Sequence, residues 1–193
     1  HATKFFNTFE GGAVVTNDDK LAEAMRLMRN FGFAGLDNVI HPGTNGKMIE
    51  IAAAMGLVNL DAIDAVIDAN RRNYNAYREG LSGLPGIRLL PYDEAEQNNY
   101  QYIVVEVGAD CPVSRDRIIE ALHAQNILAR KYFWPGCHNM QPYRDLYPHA
   151  GLLLPNTQQV ADRVIVLPTG TTMDEEMVRM VVAVLRRQVE EKQ

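Results

Sequence analysis

The stretch HATKFFNTFEGGAVVTNDDK, residues 1–20, reads as two short extended runs on either side of Glu10-Gly11-Gly12, followed by a helix start at Asn17-Asp18. The double glycine is a turn signal. Leu21, Met25 and Met28 then recur at helical spacing, and the run stops near Asn30 ahead of Gly32, which predicts one amphipathic helix. Within this stretch Lys4 is the first residue able to carry chemistry. An isolated lysine is ordinarily a solvated charge. Lys4 follows small or polar residues, precedes aromatics and lies just ahead of a Glu-Gly-Gly turn, a setting expected to hold its amine in a partly desolvated pocket. Burial favours the neutral, nucleophilic amine.

Working outward, residues 31–47 (FGFAGLDNVIHPGTNGK) carry four glycines and a proline and follow neither period, so they form a long connecting loop. Loops of that length inside a compact domain are usually functional or mobile. Met48 to Leu60 is apolar nearly all round and suits a buried helix. A second helix follows, with Ile63, Val66, Ile67, Tyr74, Tyr77 and Leu81 on one stripe and Gly80 and Gly83 at its end. Beyond Pro85 the elements shorten: a strand near Tyr100 to Val107, a helix from Arg115 to Gln125 behind Ser114, and a strand over Ile127 to Lys131. That texture is βαβ-like. The stretch from Tyr132 to Pro155 reads as irregular, Val164 to Leu167 as a strand, and a Thr172-x-x-Glu175 capping box opens a last helix whose Arg186 and Arg187 suit the negative end of its dipole. The expected division is residues 1–84, the remnant of a larger domain with its connecting helix, and residues 85–193, a small α/β domain. Met25, Met28, Met48 and Met55 read most simply as core.

Composition bounds the function. The 193 residues are 47% hydrophobic and 22% charged, the profile of a globular chain. With 24 acidic against 19 basic residues and a net charge of −5, the electrostatic footprint of a nucleic-acid binder is missing, and anionic membranes are poor partners. The apolar run Ile51 to Val58 is far shorter than the roughly 20 residues of a membrane span. Cys111 and Cys137 form no CxxC pair and read as two reduced cytosolic thiols, which places the chain in the cytoplasm. Cys137-His138 lacks metal-ligand spacing.

Three motifs in order give a more specific reading. HATKFFNTFEGGAVVTND resembles the Schiff-base lysine segment of the DegT/DnrJ/StrS family of pyridoxal-phosphate sugar aminotransferases, in which a Ser-Phe-His-x-x-Lys run precedes a Glu-Gly-Gly turn and a Thr-x-Asp. GTNGKMIEIAAAMGLVNL resembles the family's Gly-x-Asn-x-x-Met segment, and KYFWPGCHNMQPY its Tyr-x-x-Pro-x-x-His loop. The resemblance implies an α/β chain, the carboxyl-terminal part of a fold-type I enzyme like aspartate aminotransferase, with the end of the large domain joined to the small domain. It implies pyridoxal phosphate as cofactor, a nucleotide-linked keto-sugar and glutamate as substrates, and a homodimer. Aminocyclitol and aminoshikimate-type acceptors belong to the same expectation. Lys4 is then the catalytic and cofactor-binding lysine, whose freed amine acts as general base and acid. Related sugar dehydratases carry histidine at that position.

By the same resemblance Asn45 crosses a subunit interface to bind the cofactor phosphate of the other protomer. Without the family pattern it would read as a turn residue. Lys47 stands where many members carry arginine and keeps the charge without the bidentate fork. Tyr132 and His138 are the expected substrate-binding residues, contacting sugar or diphosphate, while Tyr143 reads equally as packing. The chain opens on His1 without a leader, and the family's phosphate-binding helix terminus, pyridine-nitrogen aspartate and ring-stacking residue have no counterpart in it. It is therefore expected to be the carboxyl-terminal half of such an enzyme, silent by itself, with apolar surface on Ile51 to Val58 that favours self-association.

Overall fold

The computed structural model describes residues 1–191. They divide between Asp64 and Ala65 into two compact units.

In the first unit, helix α1 (Asp19–Arg29) begins where the Asp18 carboxylate accepts hydrogen bonds from the backbone N–H groups of Lys20 and Leu21. An extended aspartate that satisfies orphan N–H groups is a strong helix start. Helix α2 (Glu50–Asp61) follows the long loop. Residues 1–18 form no strand, so the two extended runs expected around Glu10-Gly11-Gly12 are irregular backbone. Their cross-links are side-chain ones: Asn59 Nδ2 on α2 donates to the Asn7 carbonyl at 2.7 Å. The methionines of this unit are not core either. Met28, on a helix α1 that buries none of its residues completely, is 41% exposed, and Met48, in the loop before α2, is 45% exposed. Helix α2 buries only Ala52 and Gly56 and leaves Ile51, Leu57, Val58 and Leu60 exposed, in place of the buried helix its composition suggests.

The second unit carries a continuous core. Helix α3 (Ile63–Gly80), which spans the division, lays Tyr74 and Tyr77 against it. Strands β1 (Ile87–Leu89), β2 (Ile103–Val107) and β3 (Val164–Leu167) form a sheet in the order β1-β2-β3, antiparallel throughout, with Ile87 opposite Val107 and Ile103 opposite Leu167. Ile103, Val105 and Val107 alternate inward, the period-2 signature of a sheet with one buried face. Helix α4 (Arg115–Ala124), with Ser114 as its cap, and helix α8 (Glu175–Glu190) bury Ile118, Leu122, Val178 and Leu185. Burying each such side chain stabilises by about 1.5–3 kcal/mol before entropy is counted.

Three expectations change here. The βαβ texture resolves into antiparallel pairing, because β3 runs against β2. The strand expected over residues 127–131 contracts to one bridge, in which Arg130 and Val166 exchange backbone hydrogen bonds at 3.0 and 2.8 Å. The chain leaves α4 through Asn126 in the left-handed region, φ 57°, and meets the edge of β3 only at Arg130. Finally, α8 is capped by Asp174 and not by Thr172: its carboxylate accepts from the Met177 N–H at 2.9 Å, and the first helical residue is Glu175.

The segment read as irregular contains a 3₁₀ turn (Cys137–Asn139) and the short helices α5 (Tyr143–Leu146) and α6 (Ala150–Leu153), followed by α7 (Pro155–Arg163). Among the described residues no helix is long and apolar enough to cross a membrane.

Candidate active site

Lys4 lies at the end of a tight turn in which its N–H donates to the His1 carbonyl at 3.0 Å. Its own carbonyl accepts from Asn7 Nδ2 at 3.2 Å, and Asn7 is in turn held by Asn59. The lysine backbone is therefore fastened to α2 through two amide side chains. The residue is exposed, so the desolvated pocket expected around its amine is not formed by the surrounding loop. The reason is local: residues 1–4 are all exposed, burial begins only at Phe5 and Phe6, and a loop alone removes little water from a long side chain.

Asn45 sits on the returning limb of the loop between α1 and α2. Phe31 N–H donates to the Thr44 carbonyl, Thr44 N–H to Met28 and Gly46 N–H to Arg29, so both ends of the loop close on the last turn of α1. Asn30 and Asn45 pair as an isolated bridge. This closure demands glycine at residue 43, where a Cβ would collide with the backbone of Phe31 and Gly32. Asn45 itself is exposed, and Lys47 Nζ stands 4.4 Å over the Phe31 ring, a cation–π contact. An open apolar groove of about 970 Å³ runs between residues 12–16, α1 and residues 42–46, and neither Lys4 nor Asn45 lines it.

Tyr132 and His138 belong to the second unit. Tyr132, half-buried, accepts from Arg130 Nη1 at 3.1 Å while the same guanidinium lies 4.4 Å over its ring. Beside it Lys131 contacts the Trp134 ring and donates to Asp116 Oδ1 at 3.2 Å. Partial burial raises the Asp116 carboxyl, but hydrogen bonds from Arg115 and Lys131 outweigh it and hold the group below the usual carboxylate range. Arg115, 7% exposed, completes its own set by donating to the Ala161 carbonyl at 2.8 Å.

His138 is buried at 9% exposure inside a small amide network. Its Nε2 lies 3.2 Å from Gln158 Oε1, and that oxygen also accepts from Asn139 Nδ2 at 2.7 Å. Gln158 Nε2 donates to Asp162 Oδ2 at 3.1 Å. Gly136, at φ 88°, abuts the edge of the imidazole, where a Cβ would press on Cε1 and Nδ1. Tyr143 is 52% exposed at the start of α5.

Within their own units, then, Lys4 and Asn45 are presented on loops pinned to helices, and Tyr132 and His138 on one aromatic and polar segment. Arg130, Asn139, Gln158 and Asp162 escaped the sequence reading. The available signal was the i, i+4 spacing of Gln158 and Asp162, legible only once residues 155–163 are recognised as a helix.

Comparison with known proteins adds the family. The model of the DegT/DnrJ/EryC1/StrS aminotransferase family matches residues 1–186. A dTDP-4-amino-4,6-dideoxy-D-glucose transaminase of Escherichia coli is 41% identical over 170 residues, covering 88% of this chain and 46% of that protein. A crystal structure of DesI in the presence of its TDP-sugar product superposes with a TM-score of 0.83 at 49% identity, over 96% of this chain and 47% of that one. Helicobacter pylori PseC, an aminotransferase involved in the biosynthesis of pseudoaminic acid, superposes at 0.85 with 26% identity, over 99% of this chain and 52% of that one. The chain spans about half the length of the curated relatives it matches.

Proposed function

The chain belongs to the DegT/DnrJ/EryC1/StrS aminotransferase family, and on that premise we propose that it corresponds to the carboxyl-terminal half of a pyridoxal-phosphate-dependent transaminase of a nucleotide-linked keto-sugar, with Lys4 as the cofactor-bearing lysine. The observation that carries this reading is Lys4 itself, an exposed lysine on a backbone fixed by Asn7 and Asn59, within a family match that reaches from residue 1 to residue 186.

The chain's own residues suit the cofactor at two points. Lys4 supplies a primary amine on an exposed residue, and Asn45 exposes an amide N–H donor on a loop fastened to α1. Pyridoxal phosphate, when bound, supplies the aldehyde carbon and the electron-withdrawing ring on which exchange of an amino group depends. Lys4 Nζ would hold the cofactor between turnovers. With the donor bound, which we take to be glutamate, the Lys4 amine would be the chain's own general base and acid, taking up and returning a proton at Nζ. The same Nζ would serve the return half-reaction with the keto-sugar. Asn45 binds the cofactor phosphate, across a homodimer interface in this reading, and Tyr132 and His138 bind the nucleotide sugar.

The test is to add pyridoxal phosphate to the purified chain, reduce with borohydride and locate the adduct by mass spectrometry. Labelling of Lys4 above the level of surface lysines is expected, and Lys4→Ala should abolish that labelled peptide. Labelling spread evenly over all lysines would mean that the chain alone is a folded module without a cofactor site.

A further inference from the structure

We infer that Gln158, oriented by Asp162, is a positioning residue that fixes His138 as the Nε2–H tautomer, so that its Nδ1 serves only as a hydrogen-bond acceptor and takes a sugar hydroxyl, not the diphosphate. The argument runs from the charged end of the network. Asp162 Oδ2 lies 3.1 Å from Gln158 Nε2, and a carboxylate only accepts, so the amide nitrogen faces Asp162 and the amide oxygen faces away. Asn139 Nδ2, itself oriented by donation to the Pro135 carbonyl at 2.9 Å, donates to that oxygen at 2.7 Å and locks the same orientation from the other side. Gln158 Oε1 then presents a lone pair to His138 Nε2 at 3.2 Å, and only an N–H can answer it. A neutral imidazole carries one proton, so with Nε2 protonated Nδ1 holds a lone pair.

Gly136 bears on what that lone pair can meet. Its φ of 88° brings the backbone against the Cε1–Nδ1 edge, where a Cβ would fill the space beside Nδ1. Only a glycine lets the backbone pack this closely beside Nδ1. Phosphate oxygens are acceptors and gain nothing from a second acceptor, whereas a hydroxyl donates to it. The network thus decides between the two substrate contacts open to His138.

This inference rests on the reading of His138 as a substrate residue only for its ligand, not for its tautomer. The experiment is long-range ¹H–¹⁵N correlation on the full chain labelled at histidine. A pyrrole-type ¹⁵N shift at His138 Nε2 and a pyridine-type shift at Nδ1 are expected. Gln158→Leu, which removes the acceptor, should mix the two tautomers. A pyrrole-type Nδ1 in the wild type, or an unchanged pattern in Gln158→Leu, overturns the positioning role. Titration with dTDP-4-amino-4,6-dideoxy-D-glucose should move the Nδ1 resonance, and dTDP alone should leave it in place. An equal shift with dTDP overturns the hydroxyl assignment. A shift with neither, alongside the expected tautomer, also overturns that assignment and locates the failure in the substrate reading of His138.

Discussion

At the scale of single residues the network around Tyr77 shows how a core side chain sets the pH range of the fold. Tyr77 is completely buried and donates its phenol proton to the Pro168 carbonyl at 2.9 Å, tying α3 to the end of β3. Burial pushes the phenol well above its ordinary value of 10.0. The folded state therefore retains a proton that the unfolded chain loses first. The stabilisation is present in full below about pH 10 and is lost as the pH climbs from there toward the folded-state value. Tyr77→Phe leaves the Pro168 carbonyl without its donor and should cost about 1–2 kcal/mol at neutral pH. It should also remove part of the alkaline loss, so wild type and variant converge above pH 10. Parallel denaturation midpoints from pH 7 to 11 would contradict this.

At the scale of elements, helix ends are decided by which side chain reaches the orphan N–H groups, and residue pattern alone can misplace that choice. Thr172-x-x-Glu175 has the form of a capping box, yet Asp174 is the residue whose carboxylate caps Met177. Asp174→Ala should cost about 1 kcal/mol by urea denaturation. Thr172→Ala should stay within about 0.5 kcal/mol, and the reverse ranking would restore the capping box. The other end of α8 shows a similar shift of role. Arg186, expected to answer the dipole of its own helix, instead donates to the Gly80 and Ser82 carbonyls at 3.0 Å each and closes the end of α3.

These cases mark what was legible in the residues. Helices α1, α3 and α4 and strand β3 follow from period and caps, because their burial pattern is carried by their own side chains. Strand β1, three residues long, has no period to read, and its place is fixed by pairing with β2. Helix α7 was hidden because Gln158 and Asp162, on its polar side, answer to His138, a residue outside the helix. Lys4, Asn45, Tyr132 and His138 could be named from motifs, whereas Gln158, which hydrogen-bonds His138, could not, since a hydrogen bond across 20 residues leaves no spacing rule.

At the scale of the whole molecule the balance between covered and uncovered apolar surface sets solution behaviour. In α2 the side chains of Ile51, Leu57, Val58 and Leu60 are 70%, 65%, 63% and 51% exposed, while the same helix buries Ala52 and Gly56. Ile51 and Val58, seven residues apart, share one side of the helix, and exposed aliphatic side chains of this size favour association. The net charge of −5 gives only weak repulsion between copies at physiological salt, where charges are screened within about 8 Å. The chain as it stands should therefore self-associate, with a sedimentation coefficient that rises with concentration. Replacing Ile51 and Val58 together with lysine should return it to the monomer without changing thermal stability by more than a few degrees, because both side chains are already exposed to water. A wild-type chain that stays monomeric at every concentration, or a double variant that associates as strongly, would show that this helix face does not drive assembly.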